Sequence, residues 1–243
     1  MKNYLLILIL LLTSQIYSQV VLDESFNGNT FPQGWTSENM NSSGSSSSIW
    51  GLATGGYAPG FNPNNNQHLY DPTLGGFSGN YPVVYSYDFS ESGDYVHPGP
   101  VNSTLTSTSF DCSGKSNLKL SFNHWFVSEP FPLADFTTTP ATGYVEVSND
   151  NGTNWIQVAV FGPNAFEYGS VVVDISAELS NTVDAKVRFR YEGEASWYWT
   201  VDNVKVQQPT IDLPDAVTSV RNGIGNNTPV SVYRQTSSKP LEN

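Results

Sequence analysis

Two acidic residues, Glu24 and Asp202, lie in strand-like runs at positions whose alternation predicts a face turned towards a core. Val204 and Val206 follow Asp202 at the period of two that marks one face of a β-strand. Glu24 follows Leu22 at the same spacing near the start of the chain. A carboxylate that faces a core is costly unless it is hydrogen-bonded, paired or bound to a metal. The sequence therefore predicts two inward-facing carboxylates that need partners.

These two carboxylates are expected to converge at one sheet edge if the first and last strands of a β-sandwich pair. Two close carboxylates repel each other unless a proton or a cation lies between them. Calcium is the natural cation outside the cell, because it takes carboxylate and carbonyl oxygens from irregular loops. We therefore predict a structural calcium ion at Glu24 and Asp202. The alternative is that loop amides donate hydrogen bonds to both carboxylates and that no metal is bound.

Three consecutive aromatic residues, Trp197, Tyr198 and Trp199, stand at the beginning of the last strand-like run. An exposed ring suits a sugar, because it covers the apolar C–H face while nearby polar side chains bind the hydroxyls. Aromatic residues at strand ends also commonly fill a core. We predict that ligand binding falls on these three residues, and we expect core packing for at least half of the aromatic residues.

The sequence lacks the catalytic motifs that can be recognised by spacing. It has no His-Glu-x-x-His, and neither Gly-x-Ser-x-Gly nor a phosphate-binding glycine loop stands in a strand–helix setting. His124 lies on an apolar face and is expected to be a core residue. The two carboxylates of a glycosidase need only meet in space, so four acidic residues stay open as candidates: Glu129, Glu146, Glu192 and Glu194. We predict that the protein is not an enzyme, with glycan hydrolysis as the alternative.

The composition restricts the partners and the compartment. The chain has 22 acidic residues against 10 Lys and Arg, a formal net charge of −12. Nucleic acid and anionic membranes require basic surfaces and are therefore poor partners. Residues 1–18 combine a basic start, a short apolar run and a small residue at the end, which predicts a signal peptide and a secreted or cell-surface protein. The single cysteine, Cys112, excludes an intramolecular disulfide and is expected to be buried.

Period-two alternation recurs along the chain, and almost no stretch has helical periodicity. The turn signal Asn149–Gly152 separates two short apolar runs and predicts a hairpin. The predicted fold class is therefore all-β. The main strands are predicted at Leu105–Phe110, Leu118–Phe126, Tyr144–Ser148, Trp155–Phe161, Val171–Ile175, Ala185–Tyr191 and Trp197–Val206.

Several stretches, in a fixed order, resemble secreted jelly-roll modules. They are Asp23–Phe26, Pro32–Trp35, Leu118–Phe126, Gly143–Trp155 and the aromatic residues followed by Val201–Val206. The modules they resemble are the cleaved adhesins of gingipain-type proteases from Bacteroidetes, MAM-like domains and the jelly rolls that follow some secreted bacterial metallopeptidases. The resemblance implies a jelly-roll β-sandwich of two antiparallel sheets with long loops over residues 19–207. It also implies structural calcium near Glu24 and Asp202, with Asn203 as a further ligand.

Residues 208–243 differ from the rest, because they are polar and have little to bury. Within them Val230–Tyr233 resembles the opening of a C-terminal sorting domain of a Bacteroidetes secretion route. That opening normally continues Pro-Asn-Pro, whereas this chain continues Arg234-Gln235-Thr236. We predict a linker and a flexible tail with a degenerate or truncated sorting signal.

These features predict a secreted, non-catalytic module that serves adhesion or carbohydrate binding and is stabilised by calcium. Its partner would be an extracellular glycan or a host or cell-surface protein. Two alternatives stay open: a glycan-active hydrolase, and a structural spacer of a larger secreted protein.

Overall fold

A computed structural model describes residues 18–41, 49–53, 76–86, 88–89, 95–96, 100–128, 139–194 and 196–209. This part of the chain is almost entirely β-structure, with a single short helix, α1 (Ser176–Leu179). The strands are β1 (Gln19–Glu24), β2 (Thr36–Asn39), β3 (Gly51–Ala53), β4 (Tyr81–Tyr85), β5 (Asp88–Phe89), β6 (Tyr95–Val96), β7 (Val101–Thr106), β8 (Lys119–Val127), β9 (Thr139–Ser148), β10 (Ile156–Phe161), β11 (Phe166–Asp174), β12 (Lys186–Glu194) and β13 (Tyr198–Gln208).

The strands form two antiparallel sheets and a small ribbon of β5 and β6. The six-stranded sheet has the order β11-β8-β13-β4-β3, and β1 also pairs with β13. The five-stranded sheet has the order β10-β9-β12-β7-β2. This architecture confirms the predicted all-β jelly-roll sandwich.

Strand β13 changes its pairing partner halfway along. Its first residues, Tyr198–Thr200, pair with β4, whereas its last residues pair with β1 in the register Glu24↔Val204 to Gln19↔Gln208. The first and last strands of the domain therefore lie side by side, as expected. Asp202 lies between the part of β13 that pairs with β4 and the part that pairs with β1, beside the start of β4, and Glu24 is the last residue of β1.

Aromatic rings fill the space between the two sheets. The ring of Trp199 is completely buried, with its centroid 5.6 Å from those of Phe126 and Phe161 and 5.8 Å from that of Phe189. Phe126 belongs to the six-stranded sheet, and Phe161 and Phe189 belong to the other. Complete burial of such a side chain stabilises the fold by about 1.5–3 kcal/mol.

The prediction that Asp202 faces the core with Val204 and Val206 is wrong. Trp199 and Val201 belong to the core, and Asp202 lies opposite Asn123 on the outer face of the six-stranded sheet. The cause is a β-bulge between Asp202 and Lys205, where the extra residues change the alternation. Asn203 lies in this bulge with a φ of 52°, in the left-handed region.

Other local predictions are confirmed. Strands β9 and β10 form the predicted hairpin, and Asp150 accepts hydrogen bonds from the main-chain and side-chain N–H groups of Asn154 (2.8 and 2.6 Å). Cys112 is buried. None of the described helices is long and apolar enough to cross a membrane. Residues 1–17 and 210–243 lie outside the described residues, so the signal peptide and the tail stay predictions.

Candidate functional site

Asp202 is completely buried on the outer face of the six-stranded sheet. Its Oδ1 accepts a hydrogen bond from the main-chain N–H of Asn203 at 2.7 Å, and its Oδ2 accepts from the Asn203 side-chain amide at 3.2 Å. The main-chain N–H of Ser78 is 3.4 Å from the same Oδ2. The segment before β4 therefore covers this carboxylate and leaves it surrounded by N–H donors.

Glu24 lies close enough to Asp202 to act on its ionisation. Burial raises the pKa of Asp202 to about 6, against the lowering effect of the Asn203 and Ser78 N–H groups, and the charge of Glu24 raises it as well. Glu24 is half-buried, and its Oε1 accepts a hydrogen bond from the main-chain N–H of Phe26 at 2.8 Å. Glu24 ends β1 opposite Val204, two residues after Asp202 on β13. We call Glu24, Asp202 and Asn203 the carboxylate corner.

The carboxylate corner has the donor chemistry that calcium prefers. Two carboxylates and the amide oxygen of Asn203 are hard oxygen ligands, and a cation would remove the repulsion between Glu24 and Asp202. No cluster of three or more His, Cys, Asp or Glu occurs among the described residues, so remaining ligands would be carbonyls or water. The N–H groups that already reach both carboxylates agree equally with the metal-free alternative.

A cluster of aromatic side chains covers the next part of the same outer face. We call it the outer aromatic cluster, and its aromatic members are the buried Trp125, Phe77 and Tyr81 and the partly buried Phe166, Tyr168, Trp197 and Tyr198. Trp125 is buried at the centre, with ring centroids 5.6 Å from Tyr168, 6.0 Å from Phe166 and 6.2 Å from Tyr198. The side chains of Phe166, Tyr168, Trp197 and Tyr198 are half-buried, so most of each packs against the cluster and a smaller part is accessible.

The three consecutive aromatic residues of the sequence therefore separate. Trp197 and Tyr198 belong to the outer aromatic cluster, whereas Trp199 points the opposite way into the core. The prediction that Trp199 binds a ligand is wrong, because its side chain is 0% exposed. The main-chain carbonyl of Trp197 accepts hydrogen bonds from the Ser86 N–H at 3.2 Å and from the Tyr191 hydroxyl at 3.2 Å, which fixes its position.

The sequence pattern did not identify Trp125, Phe166 and Tyr168 as candidate ligand-binding residues. Trp125 lies opposite both Thr200 of β13 and Tyr168 of β11, so sheet order brings the rings together. One feature of the sequence could have identified this cluster. Trp125 alternates with the core residue Phe126, which puts a tryptophan at an outward position of the strand.

Polar side chains connect the outer aromatic cluster to the carboxylate corner. Asn123 lies opposite Asp202 on one side and Ser170 on the other. The Ser170 hydroxyl donates to Asn123 Oδ1 at 2.6 Å, and the Asn123 amide donates to the Gly76 carbonyl at 2.9 Å. The outer face of the sheet thus carries rings, a fixed amide and the buried carboxylate of Asp202 in adjacent rows.

Two of the four acidic candidates for hydrolysis, Glu146 and Glu192, form ion pairs with arginines. Glu146 binds Arg188 (Nε–Oε2 2.6 Å) and Arg190 (Nη2–Oε1 3.4 Å), and Glu192 binds Arg190 at 2.9 Å. These residues lie on the outer face of the five-stranded sheet, on β9 and β12. Glu194 ends β12, and Glu129 lies outside the described residues.

The architecture is that of a jelly-roll β-sandwich module with a ring cluster and the buried carboxylate of Asp202 on the outer face of one sheet. No family model and no curated protein matches the sequence. Solved structures with similar folds include two cleaved adhesin domains of Lys-gingipain from Porphyromonas gingivalis W83. The K1 domain has a TM-score of 0.46 and 15% identity over 76% of this chain and 96% of its own. The K3 domain has a TM-score of 0.48 and 15% identity over 78% of this chain and 98% of its own.

A carbohydrate-binding module is also among the similar structures. It is TmCBM61 in complex with beta-1,4-galactotriose, with a TM-score of 0.42 and 13% identity over 75% of this chain and 93% of its own. The similar structures therefore include the adhesin family that the sequence resembles. At these identities the likeness concerns the fold.

Proposed function

We propose that this protein is a secreted, non-catalytic adhesion module that binds an extracellular glycan through the outer aromatic cluster. The observation that carries the proposal is the set of four half-buried rings, from Phe166, Tyr168, Trp197 and Tyr198, around the buried Trp125. Contiguous apolar surface on a soluble domain commonly marks a binding site, and each of these rings leaves part of its surface accessible on the same face.

The chemistry of this face suits a neutral glycan. The rings would cover the apolar C–H faces of successive sugars, while the amide of Asn123 and the hydroxyl of Ser170 would bind sugar hydroxyls. Both polar groups are held in place, since Ser170 donates to Asn123 and Asn123 donates to Gly76. A prepositioned site loses less conformational freedom when it binds.

Calcium belongs to this proposal as a structural ion. Glu24 and Asp202 would hold it, with Asn203 as a further ligand, and it would supply the positive charge that their close approach requires. The corner lies one row from the rings, because Asp202 and Asn123 are paired across β13 and β8. Stabilising this corner would therefore also hold the polar edge of the glycan site.

The absence of catalysis is part of the proposal, and the ion pairs support it. A glycosidase needs one carboxylic acid and one free carboxylate on either side of the scissile bond. Glu146 and Glu192 instead neutralise two arginines. If the purified protein releases reducing sugar from any polysaccharide, this part of the proposal is wrong.

Binding to a glycan array, followed by calorimetry with the best ligand, tests the proposal. Tyr168→Ala and Trp197→Ala are expected to weaken binding about tenfold or more, because truncating a central ring removes at least about 1.4 kcal/mol. Tyr144→Ala is the matched control, since Tyr144 is a half-buried ring on the other sheet, beneath Arg190 at 3.8 Å. Melting curves check that each variant is folded. Equal affinities in all four proteins would contradict the proposed site.

A further inference from the structure

Glu167 is a buried carboxyl group that faces the core of the sandwich. It lies on β11 opposite Phe126, a core residue, and its side chain is therefore on the inner face. Glu167 is 2% exposed, and its Oε2 has no hydrogen-bond partner among the described residues. An ionised carboxylate in such a place is strongly disfavoured.

No neighbouring group among the described residues supplies a compensating positive charge. Strands β8 and β10 pack against β11. On β8 the titratable residue of this face is His124, while Lys119 lies on the outer face and pairs with Asp174 at 3.3 Å. Strand β10 contains no titratable residue. His124 stays neutral, since its burial lowers the pKa to about 3, and both of its ring nitrogens also lack partners in this part of the chain.

The ionisation of Glu167 falls near neutrality. Burial raises the pKa of its carboxyl group to about 7. The folded protein therefore holds the neutral acid under mildly acidic conditions and must accommodate a buried, unpaired charge above that range. The simplest relief is a movement that lets the carboxylate reach water.

The position of Glu167 makes such a movement relevant to the outer aromatic cluster. Phe166 and Tyr168 are its immediate neighbours, and their side chains lie on the outer face against Trp125. Strand β11 is at the sheet edge and pairs only with β8 in the six-stranded sheet. Its start is held by Ser128, whose N–H donates to the Ala165 carbonyl at 2.9 Å and whose hydroxyl accepts from the Ala165 N–H at 2.9 Å.

We propose that Glu167 is a proton-operated gate on the outer aromatic cluster. The neutral carboxyl group keeps β11 closed and the rings of Phe166 and Tyr168 in place. The ionised group loosens the start of β11, disperses the rings and weakens ligand binding on that face. The effect on a glycan rests on the function proposed above, whereas the loosening of β11 does not.

Amide hydrogen exchange of residues 162–170, without any ligand, tests the gate directly. The carboxyl group of Glu167 titrates near 7 while β11 is closed and near its ordinary pKa of 4.5 once β11 has opened. Between these two pH values the equilibrium constant for opening β11 therefore rises up to roughly tenfold per pH unit, and at higher pH it levels off. As the pH is raised, the amides of the wild type should therefore exchange faster and faster relative to those of Glu167→Gln. Comparing the two proteins at the same pH cancels the intrinsic pH dependence of amide exchange. Glu167→Met is a second neutral variant in case the first does not fold. Asp184→Asn removes an exposed carboxylate and should behave like the wild type.

Glycan affinity at pH 5 and pH 7.5 then tests the consequence. The wild type is expected to lose more affinity between pH 5 and pH 7.5 than Glu167→Gln does, because the ionisation of Asp202 is common to both proteins. If exchange and affinity depend on pH alike in the wild type and in the neutral variants, the gate is refuted. If no glycan binds at any pH, the proposed function fails, and the exchange comparison still decides whether Glu167 controls β11.

Discussion

The indole ring of Trp199 packs directly on the bare main chain of Gly143 in the opposite sheet. A Cβ atom added to Gly143 would lie 2.9 Å from Cζ3 of Trp199 and 3.2 Å from Cε2 of Phe126. Because both rings are completely buried, neither can move aside without disturbing the core. Glycine at this position thus sets the distance between the sheets.

Gly143→Ala is therefore expected to destabilise the fold by about 1–3 kcal/mol through overpacking. For a domain of this size the melting temperature should fall by about 2–4 °C per kcal/mol. Gly162→Ala is the control, since an added Cβ there would meet nothing within 4 Å. Equal melting temperatures of the two variants would contradict the close contact.

Calcium added to chelated protein should raise the melting temperature by several degrees. At free calcium about a hundredfold above the dissociation constant, binding to the folded state adds roughly 2.7 kcal/mol. Magnesium should do less, because it demands tighter octahedral geometry. Asp202→Asn and Glu24→Gln should remove most of the response. Asp23→Asn should retain it, since Asp23 is exposed and pairs with Lys205 at 2.9 Å. Superimposable curves with calcium and with chelator would show that no such site exists.

Glu146→Gln should destabilise the protein by about 1.5–3 kcal/mol, the usual contribution of hydrogen bonds to charged groups. Glu146 accepts hydrogen bonds from both Arg188 and Arg190, and its side chain is 9% exposed. Glu192→Gln is the matched control, because this side chain is 50% exposed and surface ion pairs contribute about 0–1 kcal/mol. Urea unfolding measures the free energy of unfolding of both variants. Equal losses of unfolding free energy would contradict the difference in burial between Glu146 and Glu192.

His124 should make the protein less stable in acid. Its pKa is lowered from 6.5 to about 3 by burial, so its contribution is complete above pH 6.5 and is lost as the pH falls towards 3. Between pH 6.5 and 4.5 the loss is about 2 kcal/mol, because the histidine of the unfolded chain is already half protonated at pH 6.5. His124→Phe should abolish this loss, since the ring already packs 4.4 Å from Phe161.

The difference in unfolding free energy between wild type and His124→Phe, measured across this pH range, isolates the histidine. Glu167 and Asp202 titrate in the opposite sense, because burial raises their pKa values to about 7 and about 6. Their contributions are present in both proteins and cancel in the difference. A difference that does not change with pH would contradict the burial of His124.

Limited proteolysis should leave a stable core of about residues 19–207. The last described strand, β13, ends at Gln208, and the sequence beyond it has few apolar residues to bury. Mass spectrometry of the fragments locates the boundary. Complete protection of the C-terminal residues would contradict the predicted domain limits.

Most of the strands could be predicted from the sequence, because each strand of a sandwich alternates between a buried and an outer face. The predicted strand Leu118–Phe126 corresponds to β8, and its inward residues Phe122, His124 and Phe126 are all buried. The prediction Leu105–Phe110 is less accurate, since β7 ends at Thr106 and Phe110 makes an isolated bridge to Ala185. The pairing of the first and last strands followed from the fold class, because terminal strands of such sandwiches pair.

Only the tertiary structure decided which side chains of β13 face outwards. Alternation predicts that Asp202 shares a face with Val204, but the bulge at Asn203 reverses the order and sends Trp199 into the core. A bulge is defined by the register with a neighbouring strand, and that register is not visible in one strand alone.

The outer aromatic cluster depended on the tertiary structure for the same reason. Trp125, Tyr168 and Tyr198 come from three strands that are distant in the chain and adjacent in the sheet. Local sequence determines whether a residue lies in a strand and approximately which face it occupies. The order of the strands determines which rings meet, and that order is set by the packing of the whole domain.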